Sequence, residues 1–276
     1  MADKDLITKC ENVSTRIRRR VIDMTYATGK TGAHLGGSLS IVELLACLYT
    51  GKIRYRIEDV NWEGRDRVIL SKGHAAMALY PAMVEAGIID ASELETFKQD
   101  GSKLGGHPSL NGLPGIEFAS GSLGQGLSLG VGTCLALKRK GNNESRTFVF
   151  LGDGECDEGS VWEAAASAGH YHLNNLVAIV DMNAIQYDGL TTEIMDMSPF
   201  EKKWIDFGWD VISIDGHKIE KVLDAYDHKG GKPLAILART IKGKGISFME
   251  SNWKYHNASL PKELYDQAVE ELEAAI

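Results

Sequence analysis

Val13, Ile17, Val21 and Met24 recur at intervals of three and four near the start of the chain, with Arg16, Arg18, Arg19 and Arg20 between them. That spacing predicts an amphipathic helix from about Leu6 to Thr28, closed by Gly29. Further along, the pattern changes to short apolar runs rich in β-branched and aromatic residues. They stand at Arg67–Ser71, Arg146–Leu151, Leu176–Val180, Asp210–Ile214 and Leu234–Ala238. Such runs read as buried strands. Helical patterns lie between them: after Gly73-His74, from Ser122 to Lys140, from about Glu158 to Tyr171, and from Ile219 to His228. Ser40 and Glu43 form a capping-box pattern ahead of Leu44, Leu45 and Leu48. Pro261 to Ile276 reads as an acidic amphipathic surface helix. Strands alternating with helices predict an α/β fold, a three-layer α/β/α arrangement around a parallel sheet. No repeat or linker interrupts the chain, so residues 1–276 are expected to form a single domain.

The helical pattern from Ser122 to Lys140 carries Gly124, Gly126, Gly130 and Gly132. Each interior glycine costs about 1 kcal/mol against alanine. Very close packing against another backbone is the expected compensation.

Composition narrows the function classes. Apolar content of 43% and charged content of 25% are ordinary for a soluble globular protein. A net charge of −8 disfavours nucleic acid, and the arginine run reads as a solvated helix face. The apolar stretch Ile41–Tyr49 contains Glu43 and is too short to span a bilayer. Met1 to Asn12 lacks an apolar signal core. Cys10, Cys47, Cys134 and Cys156 form neither a CxxC pair nor a Cys/His cluster, which argues against zinc and suits a reducing cytosol. Cys156 reads as a small filler. A cytoplasmic protein without membrane or nucleic-acid partner is expected. Gly29-Lys30-Thr31 is no P-loop, because Met24 stands where the earlier glycine would be.

The chemistry lies at strand ends. Gly152-Asp153-Gly154 follows one apolar run, and Asp181-Met182-Asn183-Ala184-Ile185 follows another. Open α/β sheets bind ligands just past the carboxyl ends of their strands. Asp153 and Asn183 offer hard oxygens of the kind Mg²⁺ takes, leaving room for water and phosphate. Gly152 and Gly154 let backbone approach a phosphate, and a helix starting near Glu158 would turn its amides toward the anion. A Gly-Asp-Gly turn alone is common in such folds. Paired with Asn183, it resembles the thiamine diphosphate motif. That resemblance implies Asp153, Asn183 and the carbonyl of Ile185 as metal ligands, with Mg²⁺, or Ca²⁺ or Mn²⁺, as the ion.

His34, His74 and His107 sit in glycine-flanked turns, and His256 follows Thr240-Ile241-Lys242-Gly243-Lys244-Gly245. Histidine near a glycine-rich backbone can donate, accept or shuttle a proton at neutral pH. The segments containing Arg65–His74, Gly106-His107-Pro108 with Leu113–Glu117, and Gly121–Gly126 resemble RDRxxLSxGH, GHP…LPGVE and GPLGQG of transketolase. The resemblance runs along nearly the whole chain. It implies that His74, Gly154, Lys242 and His256 surround the diphosphate, and that Gly121, Ser122 and Leu123 line the cofactor's rings. It further implies that His34, His107 and His256 hydrogen-bond the donor sugar, and that Glu158 lies at a partner interface in a carboxylate relay. Ser122 replaces the family's usual proline, Gly32-Ala33-His34-Leu35-Gly36 departs from its SGHPG, and Asn257 follows His256 where glycine is common.

The family's pyrimidine-binding and C-terminal domains find no match here. The expected protein is therefore the N-terminal subunit of a split transketolase, a transferase moving a two-carbon ketol unit from a ketose phosphate to an aldose. It would need a separate C-terminal subunit, in an α2β2 assembly, with the glycine-rich helix as a contact surface. A 1-deoxyxylulose-5-phosphate synthase-like half, an α subunit of a 2-oxo acid dehydrogenase, and a non-catalytic cofactor-binding orphan domain are the alternatives.

Overall fold

A computed structural model describes residues 3–274. Five parallel strands form one sheet in the order β1-β2-β3-β5-β4. They are β1 (Arg67–Leu70), β2 (Thr147–Gly152), β3 (Leu176–Met182), β4 (Asp210–Asp215) and β5 (Leu234–Arg239). The helices are α1 (Lys4–Ala27), α2 (Gly36–Leu39), α3 (Val42–Cys47), α4 (Ala76–Glu85), α5 (Gly126–Arg139), α6 (Gly159–His170), α7 (Thr191–Ile194), α8 (Phe200–Asp206), α9 (Ile219–Tyr226) and α10 (Lys262–Ala274). The last residues of the expected C-terminal helix, Ala275 and Ile276, lie outside the described residues.

Alternation along the strands builds two apolar layers. Phe148, Phe150, Val177, Ile179 and Ile236 face one side, where Ile17, Leu44, Met83 and Val222 cover them. Val149, Leu151, Ala178, Val180 and Leu237 face the other, under Leu127, Val161, Ala165 and Trp204. Burial on both faces explains why the runs read as continuous apolar stretches rather than alternating ones.

Four expectations need correction. Ser40 and Glu43 do not cap a helix: α3 begins at Val42 without a side-chain cap. The Ser40 hydroxyl instead bonds the Asp181 carboxylate at 2.7 Å, and Glu43 pairs with Arg18. Arg18 is consequently buried, while Arg16 and Arg20 pair with Glu85 and Arg19 with Asp23 and Glu273. The arginine run is thus a surface face with one exception. Helix α5 starts at Gly126, not Ser122, because Gly124 takes a positive φ of 80° that ends any helix. Finally, of the glycines of α5 only Gly126 meets another backbone, where a Cβ would lie 2.8 Å from the Ser71 Cα. A Cβ on Gly130 would lie 2.7 Å from a Val149 methyl, whereas Gly132 faces nothing within 4 Å.

Candidate active site

Because all five strands run parallel, their carboxyl ends share one edge of the sheet, and the loops there bring the chemistry together. Gly152 of β2 pairs with Asp181 of β3. Asp153 and Asn183, each one residue past its strand, are therefore neighbours. Both are 8% exposed. Asp153 accepts from the Gly154 amide at 2.9 Å and from the Ala184 amide at 2.6 Å. Burial, and then the charge of Asp181, push its carboxyl up to about 6, a carboxylate short of a cation. The Ile185 carbonyl accepts from the Lys242 ammonium at 2.7 Å. Asp153, the Asn183 side-chain oxygen and the Ile185 carbonyl form a hard-oxygen set that fits Mg²⁺, with positions left for phosphate and water. Among the described residues there is no cluster of three His, Cys, Asp or Glu that could hold a metal. Amide and carbonyl oxygens would therefore have to take part.

Beneath this set lies a fully buried polar knot. Lys72, delivered by the end of β1, pairs with Asp181, and both are 1% exposed. Ser40, Thr240 and Asn183 also donate to Asp181. Burial alone would raise this carboxyl, but Lys72 and the hydroxyl donors outweigh it and hold it down.

The four expected histidines converge above. The ring of His34 lies 5.5 Å from those of His74, His107 and His256, and His74 lies 5.3 Å from His256. An antiparallel backbone bridge between Ala33 and Ala258 joins the segments that carry His34 and His256. Gly32 is required there, since a Cβ would lie 2.6 Å from the Ala258 carbonyl carbon. Burial, then His107 and two lysines, lower His34 to about 4. Burial and Lys242 lower His256 to about 3. His74 falls well below its ordinary value through burial and Lys72, and His107 is lowered by burial and Lys98. The cluster is neutral at pH 7 and can both accept and donate hydrogen bonds. Lys242 links the two levels, since its ammonium also meets His256 Nδ1 at 3.0 Å. Burial and Lys72 depress it to about 8.

A cleft of about 160 Å³ is lined by His74, Leu123, Asp153, Gly154, Asn183, Ile185, Lys242 and His256. A neighbouring hollow of about 450 Å³ takes in His107, Gly121 and Ser122. Of the expected residues only Glu158 stands apart. It is exposed, at the N-cap of α6, with its side chain against Gly124.

Sequence reasoning missed Glu155, Lys72, Asp181 and Tyr187. Glu155 is 3% exposed and accepts from Ser71, from the Gly124 amide at 2.9 Å and from the Gly152 amide at 3.0 Å. It ties the Gly121–Gly124 turn to the Asp153 loop. Tyr187 stands edge-on to His256 at 5.1 Å. A charged residue closing an apolar strand, as Asp181 does, was the available signal, because such a charge is buried only when partnered.

A parallel sheet with a polar cleft past the carboxyl ends of its strands is an α/β ligand-binding fold. The sequence model described as transketolase, thiamine diphosphate binding domain, matches residues 11–273, and the chain belongs to the transketolase family. It is 43% identical over 249 residues to the 6-deoxy-6-sulfo-D-fructose transketolase subunit SqwG of Clostridium sp. (strain MSTE9), covering 89% of this chain and 90% of that one. It is 38% identical to one of the subunits of the apulose-4-phosphate transketolase of Phocaeicola vulgatus, covering 95% of this chain and 93% of that one. Human transketolase is 36% identical across 99% of this chain, but the match spans only 44% of the human protein. Among solved structures, a Pichia stipitis transketolase superposes with a TM-score of 0.89 at 30% identity, covering 95% of this chain and 40% of that one. No helix among the described residues is long and apolar enough to cross a membrane.

Proposed function

We propose that this chain, acting as one domain, is the diphosphate-binding subunit of a two-chain transketolase. The observation that carries the reading is the convergence of His34, His74, His107 and His256 over the Asp153–Asn183–Ile185 oxygen set, with Lys242 reaching both. Asp153, Asn183 and the Ile185 carbonyl would hold Mg²⁺, and Gly154, His74, Lys242 and His256 would receive the diphosphate. Bound thiamine diphosphate supplies a nucleophilic carbon that also serves as an electron sink.

The residues of this chain then do the positioning. Asp153 loses its burial penalty once a cation lies beside it. Lys242, held near its Ile185 and His256 partners, neutralises phosphate charge. His34, His107 and His256 are neutral and can hydrogen-bond the hydroxyls of a donor sugar without adding charge. His256 Nδ1 already faces Lys242, which leaves Nε2 for substrate. Gly121, Ser122 and Leu123 form the wall against the cofactor's rings.

The site is open on one side. Leu123, Tyr187, Leu190, Ile194 and Met195 are exposed around it, between 40% and 65%. A partner carrying the pyrimidine-binding domain would cover this apolar rim. Exposed Glu158 lies against the Gly124 turn that precedes α5. Two relatives are themselves named as subunits. The proposed assembly is α2β2, in the cytoplasm, acting on a ketose phosphate and an aldose.

Native mass spectrometry of the protein taken from its own cell tests the assembly. A second chain of comparable size together with thiamine diphosphate is expected. A homodimer without partner or cofactor would refute the two-chain reading.

A further inference from the structure

Glu43 lies on α3, outside the cleft and away from every group that meets metal, cofactor or sugar. It is 9% exposed and grips two partners from different elements. Arg18 of α1 donates from Nη2 to Oε1 at 2.6 Å. His217, just before α9, meets Oε2 through Nδ1 at 3.0 Å. Each partner makes a second bond, and both second bonds go to one loop. Arg18 Nε donates to the Lys244 carbonyl at 2.9 Å, and the Ile241 amide donates to His217 Nε2 at 2.9 Å. An amide N–H can only donate, so Nε2 is the unprotonated nitrogen and the ring proton lies on Nδ1, facing Glu43. Burial alone would raise the Glu43 carboxyl, but Arg18 and His217 hold it at about 2, an anion at neutral pH.

Residues 241 and 244 are thus anchored from one carboxylate, and Lys242 lies between them. The loop also packs directly on the clamp. Gly245 has φ of +93°, and a Cβ there would lie 2.5 Å from Arg18 Cδ. We propose that Glu43, acting through Arg18 and His217, is a positioning residue that fixes loop 240–245 and so sets where Lys242 presents its ammonium to the cofactor diphosphate. The proposal rests on the reading of Lys242 as a diphosphate ligand. A charge displaced by an ångström loses much of its hold on an anion it must meet in a fixed place.

The test is a double-mutant cycle on the isolated complex, reading thiamine diphosphate affinity by calorimetry at saturating Mg²⁺. His217→Ala is expected to weaken binding about tenfold when Lys242 is present, and by less than about twofold in the Lys242→Ala background. His217→Gln keeps an acceptor for the Ile241 amide and should recover most of the loss. Unchanged affinity in His217→Ala overturns the proposal, as does an equal loss in both backgrounds, which would mark a general structural role. Unchanged affinity in Lys242→Ala alone would instead remove Lys242 from the diphosphate site, and the reading beneath the proposal with it.

Discussion

Asn183 Nδ2 donates to Asp181 Oδ2 at 2.7 Å, and that bond decides which end of the amide faces the oxygen set. A carboxylate only accepts, so the amide nitrogen must point at Asp181. The Ile185 amide, which only donates, meets the other end at 3.2 Å. Asn183 Oδ1 is thereby presented toward the proposed ion. Partners of this kind behind a metal ligand are typically worth 10- to 100-fold in affinity.

Removing both charges of the buried pair tests this. In Lys72→Met/Asp181→Leu, Mg²⁺ affinity should fall roughly 10- to 100-fold. No lone charge remains, but Ser40, Thr240 and Asn183 lose their shared acceptor, at about 1–3 kcal/mol for each donor left buried and unpartnered. Lys72→Met alone should destabilise by about 3–5 kcal/mol, because Asp181 is left buried and unpaired. Mg²⁺ titration in the presence of thiamine diphosphate, with thermal unfolding alongside, separates the two effects. Unchanged Mg²⁺ affinity in the double variant would remove Asp181 from its orienting role.

Asp153→Ala should abolish Mg²⁺-dependent cofactor binding with the fold kept, since the lost carboxylate is itself penalised by burial. Calorimetry and circular dichroism together check this. Near-normal cofactor affinity would overturn the metal assignment.

His107→Ala should lower donor turnover by roughly 2- to 13-fold, the worth of one neutral hydrogen bond of about 0.5–1.5 kcal/mol, while cofactor affinity stays. Steady-state kinetics with varied donor reads the first quantity and calorimetry the second. Unchanged donor kinetics would take His107 out of the site.

His34 is lowered to about 4 from an ordinary 6.5, chiefly by burial. Its folded-state value lies below its unfolded one, so the stability it contributes is fully present above pH 6.5 and is lost as pH falls toward 4. NMR titration of the cofactor-free protein should find the His34 ring still neutral near pH 5.5, between those two values. A midpoint near 6.5 would contradict the partial desolvation of this ring.

The sheet was legible because β2, β3 and β5 are buried on both faces and bounded by breakers, while edge strand β4 kept enough β-branched residues to read as a strand although only Ile214 in it is buried. Asp153, Asn183 and the histidine turns were legible because chemistry-bearing residues stand beside glycines at strand ends. What escaped was tertiary. Ser40 and Glu43 carry a capping pattern, yet Asp181 and Arg18 compete for their side chains and win, since a buried charge left unpaired costs more than a missing cap. Glu155 reads as one acid in an acidic loop, and only the fold reveals that it closes the Gly124 turn. The glycines of α5 read as a backbone contact, which holds at Gly126 against Ser71, but the space beside Gly130 is taken by side chains of Val149 and Leu176 and Gly132 faces nothing within 4 Å.

Ketol transfer by the assembled complex is the activity on which all these roles depend. The complex, with thiamine diphosphate and Mg²⁺, should be given a panel of ketose phosphates labelled with ¹³C at C1 and C2, together with aldose acceptors. Both labelled carbons are expected to appear together in a lengthened ketose. No doubly labelled product across the panel, from a complex shown to hold the cofactor, would refute ketol transfer by this protein.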